Sequence, residues 1–409
     1  MWLYNLGISL YAGGIRLAAL WHGKARLWSE GRRNIFERME AAVRPSDRIV
    51  WVHAASLGEF EQARPIIERL RAEHPEYKIL LTFFSPSGYE IRKNYEGADY
   101  VFYLPADTPS NARRFLDIVH PEIAIFIKYE FWINLLSELR RRKVRSYIVS
   151  AIFRRNSVFF RPYGAMWRQA LETFDTLFVQ NVESKRLLSE IGFDNVVVAG
   201  DTRFDRVAQI AAAAQRVETI ERFRGGGRLF VAGSTWGPDE EILLPLVNAN
   251  PDVKFVIAPH EMDEGRIAHL MRDAKGGAVR YTQCDAATRF DDVQVLVLDT
   301  MGMLSSVYGS ATWAYVGGGV GVGIHNTLEA ATFGLPIAFG PNYGKFKEAR
   351  DMVSLGCAVS VRTAGELAAW FAPLRDDEET LRRASRTAKD YTARNQGATG
   401  IILRSIFNS

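Results

Sequence analysis

The sequence predicts an α/β protein of two doubly wound parallel-sheet domains facing one another across a cleft, preceded by an N-terminal apolar segment. Two observations carry that reading. Apolar runs such as RIVWVHA, KILLTFF and EIAIFIK are continuous rather than alternating, as in strands covered on both faces, and stretches with helical periodicity lie between them. The chain of 409 residues is long for one core, and the series of strands and helices occurs twice, broken by the alanine-rich AQIAAAAQ and the glycine-rich RGGGR.

The first series of strands reads RIVWVHA, KILLTFF, YVFYLPA, EIAIFIK, RSYIVSA, DTLFVQN and NVVVAG, with EFEQARPIIERLRAE, PSGYEIRKNY, PSNARRFLDIV, FWINLLSELRRR and VESKRLLSEIG as helices. The second reads RLFVAGS, KFVIAPH, AVRYTQ, VQVLVLD, ATWAYVGG, LPIAFGP and CAVSV, and DEETLRRASRTAKDYTARNQGATGIILRSIF closes it as terminal helix. The expected division is an anchor and basic segment at 1–38, a first domain at 39–205 and a second at 206–409.

The first 21 residues carry one charge, Arg16, and run into the basic HGKARLWSEGRRNIFER. A transmembrane helix needs ~20 apolar residues, so a crossing is marginal. Positive charge after the apolar stretch does not suit a signal peptide. By the positive-inside rule Lys24, Arg26, Arg32 and Arg33 hold the globular part in the cytoplasm, and the expectation is a membrane anchor, with a docked core helix as the alternative. A net charge of +4 is too small to imply nucleic acid, and Cys284 and Cys357, without C-x-x-C spacing, speak against a disulfide scaffold or a zinc site.

Candidate acceptor-side residues lie in the first domain. In VHAASLGEF, Ser56 and Glu59 fit an S-x-x-E capping box. Glu59 also stands at the carboxyl end of a parallel strand, where open α/β sheets bind ligands, so it is a candidate general base, with Ser56 and Gly58 beside it. Ser85, Ser87 and Gly88 in FFSPSGYE form a strand-to-helix junction suited to an anion or to ordinary turn chemistry. Lys128 and Glu130 in IKYEFW follow another strand, where a glutamate either compensates a helix dipole or does chemistry.

The second domain has YVGGGVGVGIHNTLEAATFGLP, with five glycines among seven residues ahead of a helix opening near Asn326. Glycines let backbone approach a phosphate, and a helix start offers free N–H groups. Gly321, Gly323, Asn326, Thr327, Leu328 and Glu329 are the candidate phosphate-side residues, although Asn326 is equally a plain N-cap and Glu329 an exposed helix carboxylate. The spacing is neither G-x-G-x-x-G nor a P-loop. Ser234 and Thr235 in AGSTWGPDEE read as caps or phosphate ligands, with Asp239, Glu240 and Glu241 complementing the helix dipole. Pro259 and His260 end a further strand on the same rim, and no cluster of histidines and acids suggests a metal.

Taken in order, HAASLGEF, KYEFW, GDTRFD (200–205), AGSTW, APHE, DTMGMLSSVYGSA (299–311) and VGGGVGVGIHNTLEAATFGLPIAFGPNYGKFKEA resemble the bacterial lipid A Kdo transferases, the 3-deoxy-D-manno-octulosonic acid transferases. The resemblance implies a GT-B fold anchored at the cytoplasmic face of the inner membrane. It implies inverting transfer of Kdo from CMP-Kdo to a lipid A precursor, lipid IVA, in lipopolysaccharide core biosynthesis, with no cofactor, metal or nucleic-acid partner. It implies Glu59 as catalytic base and Glu130 as a second active-site acid. CMP contacts fall on Pro259, His260, Met301, Gly302, Met303 and Asn326 to Glu329, and Arg203 or Lys345 would stabilise the departing monophosphate. The family carries an arginine and a glutamate where this chain has His260 and Met303. The alternatives are another GT-B enzyme, whether a UDP- or GDP-sugar transferase or an epimerase, and a non-enzymatic membrane-tethered nucleotide-binding protein.

Overall fold

Among residues 1–408, which the computed structural model describes, fourteen strands form two seven-stranded sheets with every pairing parallel. The first sheet holds β1 (Ile49–His53), β2 (Lys78–Phe83), β3 (Tyr100–Tyr103), β4 (Ile123–Ile127), β5 (Arg145–Ala151), β6 (Thr176–Val179) and β7 (Val196–Val198), in the order β3-β2-β1-β4-β5-β6-β7. The second holds β8 (Leu229–Thr235), β9 (Lys254–Pro259), β10 (Ala278–Arg280), β11 (Val295–Val297), β12 (Trp313–Val316), β13 (Ile337–Phe339) and β14 (Ala358–Ser360), in the order β10-β11-β9-β8-β12-β13-β14. The expected two doubly wound α/β domains are therefore present.

The continuous apolar runs have a direct cause. Along β1 every residue is buried, but successive side chains enter different cores. Ile49 and Trp51 join Phe115 and Phe126 on one face, while Val50 and Val52 join Phe60 and Ile66 on the other. In each sheet the order reverses once, between β1 and β4 and between β8 and β12. Right-handed crossovers then send the following helices to opposite faces. Leu57–Glu73, after β1, packs with Val50 and Val52, whereas Ile133–Arg142, after β4, packs with Trp51. Gly237–Ala249 and Thr327–Thr332 divide in the same way around β8 and β12. The loops leaving these central strands diverge, which is where such sheets take ligands.

Two expectations need correction. The chain divides into Met1–Arg206 with the segment from Gln396 onward, and Val207–Asn395, so the second domain does not run to 409. The terminal helix is two helices, Glu378–Arg394 and Ala398–Phe407, parted at Gly397, whose φ of 103° suits glycine. Ala398–Phe407 belongs to the first unit because Ile402, Leu403 and Ile406 are buried in the core containing Ile66 and Leu70. Asp205 fixes its start, accepting the Gly397 amide at 2.6 Å, the Thr399 amide at 2.7 Å and the Thr399 hydroxyl at 2.6 Å.

The expected anchor is likewise part of the first unit, as three helices, Trp2–Ala18, Gly23–Glu30 and Ile35–Ala42. No described helix is long and apolar enough to cross a membrane. Trp2–Ala18 would reach only about 26 Å, against about 30 Å of hydrocarbon. It is tied down along one edge: the Tyr4 hydroxyl donates to Asp107 at 2.6 Å, and the Asn134 amide donates to Asn5 at 2.9 Å. Its other side leaves Trp2, Leu3, Leu6, Leu10 and Leu17 exposed.

Because Asp205 satisfies three donors at a helix start, Asp205→Ala should lower the stability of the full chain by about 1–3 kcal/mol. Urea unfolding checks this, and an unchanged midpoint would mean that the C-terminal helix docks through its apolar face alone.

Candidate active site

The loops after β1 and β4 bring Glu59 and Glu130 together. Ser56 ends an extended segment, and Glu59 folds back so that one oxygen, Oε2, accepts both the Ser56 amide at 3.0 Å and the Ser56 hydroxyl at 3.2 Å. Its second oxygen accepts from no described residue, and a side chain added at neighbouring Gly58 would meet open space. Burial raises the Glu59 carboxyl above the ordinary carboxylate range, and the charge of Glu130 raises it further, against the opposing pull of Lys128 and His53. Lys128 closes β4 in a left-handed backbone conformation, φ 61°, which non-glycine residues adopt at some cost.

Glu130 is buried at the end of a hydrogen-bonded chain. The Trp51 indole N–H, which can only donate, reaches the Thr82 hydroxyl at 2.8 Å, and that hydroxyl lies 2.8 Å from His53 Nδ1. His53 Nε2 lies 3.2 Å from Glu130 Oε2, which also accepts the Trp132 indole N–H at 2.8 Å. His53 Nδ1 also lies 3.2 Å from the Thr82 carbonyl oxygen, and the Trp132 indole lies 3.1 Å from Nε2, so the imidazole is held at both nitrogens. His53, Thr82 and Trp51 are fully buried, so this chain is fixed from beneath.

In the second unit the loops after β8, β9 and β12 meet around Asp239. This buried carboxylate accepts the Trp236 amide at 2.9 Å, the Gly318 amide at 2.8 Å and the Tyr315 hydroxyl at 2.9 Å. It thereby ties the start of the Gly237–Ala249 helix to the glycine loop. A side-chain carbon at Gly317 would lie 2.2 Å from the Ser234 carbonyl oxygen, so glycine is what lets that loop pack on β8. Above the junction stand three rings: Trp236 and His260 with centroids 4.8 Å apart, and His260 and His325 stacked at 4.3 Å. The Trp236 indole donates to His325 Nε2 at 3.2 Å. Burial and the adjacent His260 hold the His325 imidazole below the usual histidine range, with Asp239 pulling the other way.

Most of the expected residues fall on these two rims. Ser56, Gly58, Glu59, Lys128 and Glu130 line the first, and Ser234, Pro259 and His260 surround the second. Ser234 has φ 54°, so it shares the backbone strain of Lys128. Asn326 caps its helix through the Leu328 amide at 3.1 Å and donates to Glu329 at 3.0 Å. Glu329 also accepts the Ser305 hydroxyl at 2.6 Å, which joins the Met301–Met303 turn to this rim. Met301 and Gly321 are exposed, Gly323 is half-buried, and Thr327 and Leu328 are buried under the loop.

Other expected residues have structural partners. Thr235 is buried and donates to Glu240 at 2.9 Å. Ser85 caps its helix through the Ser87 amide at 3.3 Å, and a side chain at Gly88 would meet the Phe83 ring at 2.3 Å, so this junction is turn and packing chemistry. Arg203, expected with the donor residues, belongs to the first unit and pairs with buried Asp201 at 2.8 Å. Lys345 is exposed. Among the described residues no three His, Cys, Asp or Glu side chains are grouped as a metal site requires.

Residues 32–206 match the family model described as 3-Deoxy-D-manno-octulosonic-acid transferase (kdotransferase). This stretch is a Kdo-transferase domain. The match covers β1 through β7 and both loops that carry the carboxylate pair. Likeness extends over most of the chain in two relatives, each called 3-deoxy-D-manno-octulosonic acid transferase. The Haemophilus influenzae protein is 26% identical over 88% of this chain and 86% of its own length. The Bordetella pertussis protein is 28% identical over 87% and 86%. Among solved structures, UDP-GlcNAc 2-epimerase from Neisseria meningitidis bound to UDP-GlcNAc superposes with a TM-score of 0.63 at 16% identity, covering 88% of this chain and all of that one. That is a likeness of fold.

The ring stack has a measurable consequence. His260→Phe keeps an aromatic ring against His325 but removes a neighbour whose positive charge opposes protonation. The His325 imidazole should therefore titrate at a higher pH in the variant than in the unaltered protein, followed by NMR of the ring nitrogens. Identical titration in both would show that burial alone sets it.

Proposed function

We propose that this protein is an inverting glycosyltransferase of lipopolysaccharide biosynthesis that moves Kdo from CMP-Kdo onto the sugar of a lipid A precursor, lipid IVA. The observation that carries the reading is the Glu59 and Glu130 pair at the switch point of the unit that matches the family. Glu59 takes the proton of the acceptor hydroxyl as that oxygen attacks the anomeric carbon, and the carbon's bond to the CMP phosphate oxygen breaks with its electrons leaving on the phosphate. A base works best when its pKa lies near the working pH, and burial together with the Glu130 charge moves Glu59 in that direction. Glu130, held by His53 and Trp132, keeps that field in place.

CMP belongs to the rim of the second unit, with His260, Asn326 and the Met301–Met303 turn as its contacts. A departing monophosphate carries less charge than a diphosphate, so we assign no metal to the reaction. The Trp2–Ala18 helix, with its exposed tryptophan and leucines and a basic segment following, suits attachment in the plane of an anionic leaflet. We assign it to the cytoplasmic face of the inner membrane.

Glu59→Gln separates cap from base. Glutamine retains the bond from the Ser56 amide, so stability should stay within about 1 kcal/mol. Transfer should fall at least ~100-fold because an amide takes up no proton. CMP binding should be unchanged, and the unaltered protein should remain active in excess EDTA. Near-normal transfer by the glutamine variant would leave Glu59 a cap and move the base to Glu130, and loss of activity to EDTA with rescue by magnesium would contradict the metal-free reaction.

A further inference from the structure

A cavity of about 760 Å³ lies in the first unit between the N-terminal helices and the loop after β3. Four arginines line it: Arg16, Arg26, Arg32 and Arg33. Two carboxylates, Glu30 and Glu37, line it as well, and Glu37 is drawn to Arg114 at 3.3 Å, so the positive charges are in excess. Arg16 and Arg33 have no ion-pair partner among the described residues.

Arg32 is the centre of this wall. Its guanidinium donates to the carbonyls of Leu104 at 2.8 Å, Phe84 at 2.8 Å and Trp28 at 3.1 Å. It stands over the rings of Trp28, Tyr103 and Phe84 at 3.9, 4.6 and 5.0 Å, and it faces no carboxylate. Burial lowers its pKa to about 9, with Tyr103 and Tyr11 opposing, so it remains a cation at neutral pH. A cation half withdrawn from water without a counter-charge is costly. A second, independent observation is that Trp28, only 5% exposed, and Ser29 both line the cavity while Trp28 Nε1 and Ser29 Oγ are buried without a hydrogen-bond partner. Unmade bonds of this kind are costly, and an acceptor group in the cavity would offset that cost.

The cavity also has a definite neighbour. Phe84, whose carbonyl holds Arg32, packs against Trp132 with centroids 4.5 Å apart and planes tilted by 37°, and Trp132 donates to Glu130. Exposed Leu20 lines the cavity beside Arg16, the residue by which the Trp2–Ala18 helix, with its exposed leucines, reaches it. A molecule with an anionic group in the cavity thus has exposed Leu20 beside it, and the rings of Phe84 and Trp132 lie between the Arg32 wall and Glu130.

We propose that this cavity is a binding site for the phosphomonoester of a phosphorylated lipid headgroup, and that it positions the acceptor. The assignment of that lipid as the acceptor rests on the function proposed above, whereas the binding site does not. Guanidinium groups recognise the doubly charged phosphomonoester better than a phosphodiester, because more oxygens are free to accept paired N–H bonds.

Flotation of the full chain with phosphatidylcholine vesicles tests this, comparing phosphatidic acid, a phosphomonoester, with phosphatidylglycerol, a phosphodiester, at matched surface charge. The protein should bind the phosphatidic acid vesicles at least ~10-fold more tightly. The double variant Arg26→Gln, Arg33→Gln, both on exposed sites, and separately Trp28→Phe, should lose that preference yet still bind phosphatidylglycerol vesicles and unfold cooperatively. Equal binding to both lipids, or a preference that survives in the variants, would overturn the site. Inorganic phosphate that competes as well as the vesicles do would assign the cavity to free phosphate and overturn the lipid assignment, and a chain that floats with neither vesicle would overturn membrane attachment. No step of the assay involves sugar transfer, so absence of the preference from the unaltered protein when that protein transfers Kdo refutes the site alone, and a preference without transfer refutes the function alone.

Discussion

Where two neighbouring parallel strands send their next helices to opposite faces of a sheet, the loops leaving them diverge, and the crevice they open is the constraint on which both units depend. Between β1 and β4 that crevice exposes the loop holding Glu59 and the loop holding Glu130. Between β8 and β12 it exposes Trp236, His260 and the glycine run. Neither rim is a local invention of its loop. Each follows from strand order, and strand order follows from right-handed crossovers of strands buried on both faces.

The first rim concentrates negative charge, and concentrated charge needs support. The charge of Glu130 raises the Glu59 carboxyl, so the two repel, and burial of Glu59 adds desolvation. The structure offsets this with the hydrogen-bonded series from Trp51 through Thr82 and His53 to Glu130, closed from the other side by Trp132. Glu59 is held more lightly, by a single serine through one oxygen. In the proposed reaction the rigid carboxylate supplies the field, and the lightly held one has a free oxygen with which to take a proton. The capping reading and the catalytic reading of VHAASLGEF are therefore compatible, because the cap employs Oε2 and leaves Oε1.

Much of this was legible in the sequence, and what was not has identifiable causes. Strands covered on both faces are written as unbroken apolar runs, so both sheets could be read from one-dimensional pattern. Glu59 and Glu130 could be found because they immediately follow such runs. His53 ends an apolar run as its lone polar member, a signal that was available, but its partners Thr82 and Trp132 lie on other strands and loops. His325 and Trp236 were hidden in the same way: one stood next to a glycine run and the other looked like a helix start. The apolar content of residues 2–18 gave no sign that Tyr4 and Asn5 tie this helix to Asp107 and Asn134. The return of Ala398–Phe407 to the first unit depends on Asp205 and on a core built far earlier in the chain, which periodicity does not encode.

The proposed transfer assigns the base to the carboxylate rim of the first unit and the nucleotide to the imidazole and glycine rim of the second. Mass spectrometry of a tetra-acylated lipid A precursor incubated with the purified full chain and CMP-Kdo tests that most directly. The account predicts acceptor heavier by a whole number of Kdo residues. Acceptor of unchanged mass with CMP-Kdo, or a glycosylated product formed only when a UDP-sugar replaces it, would contradict the account.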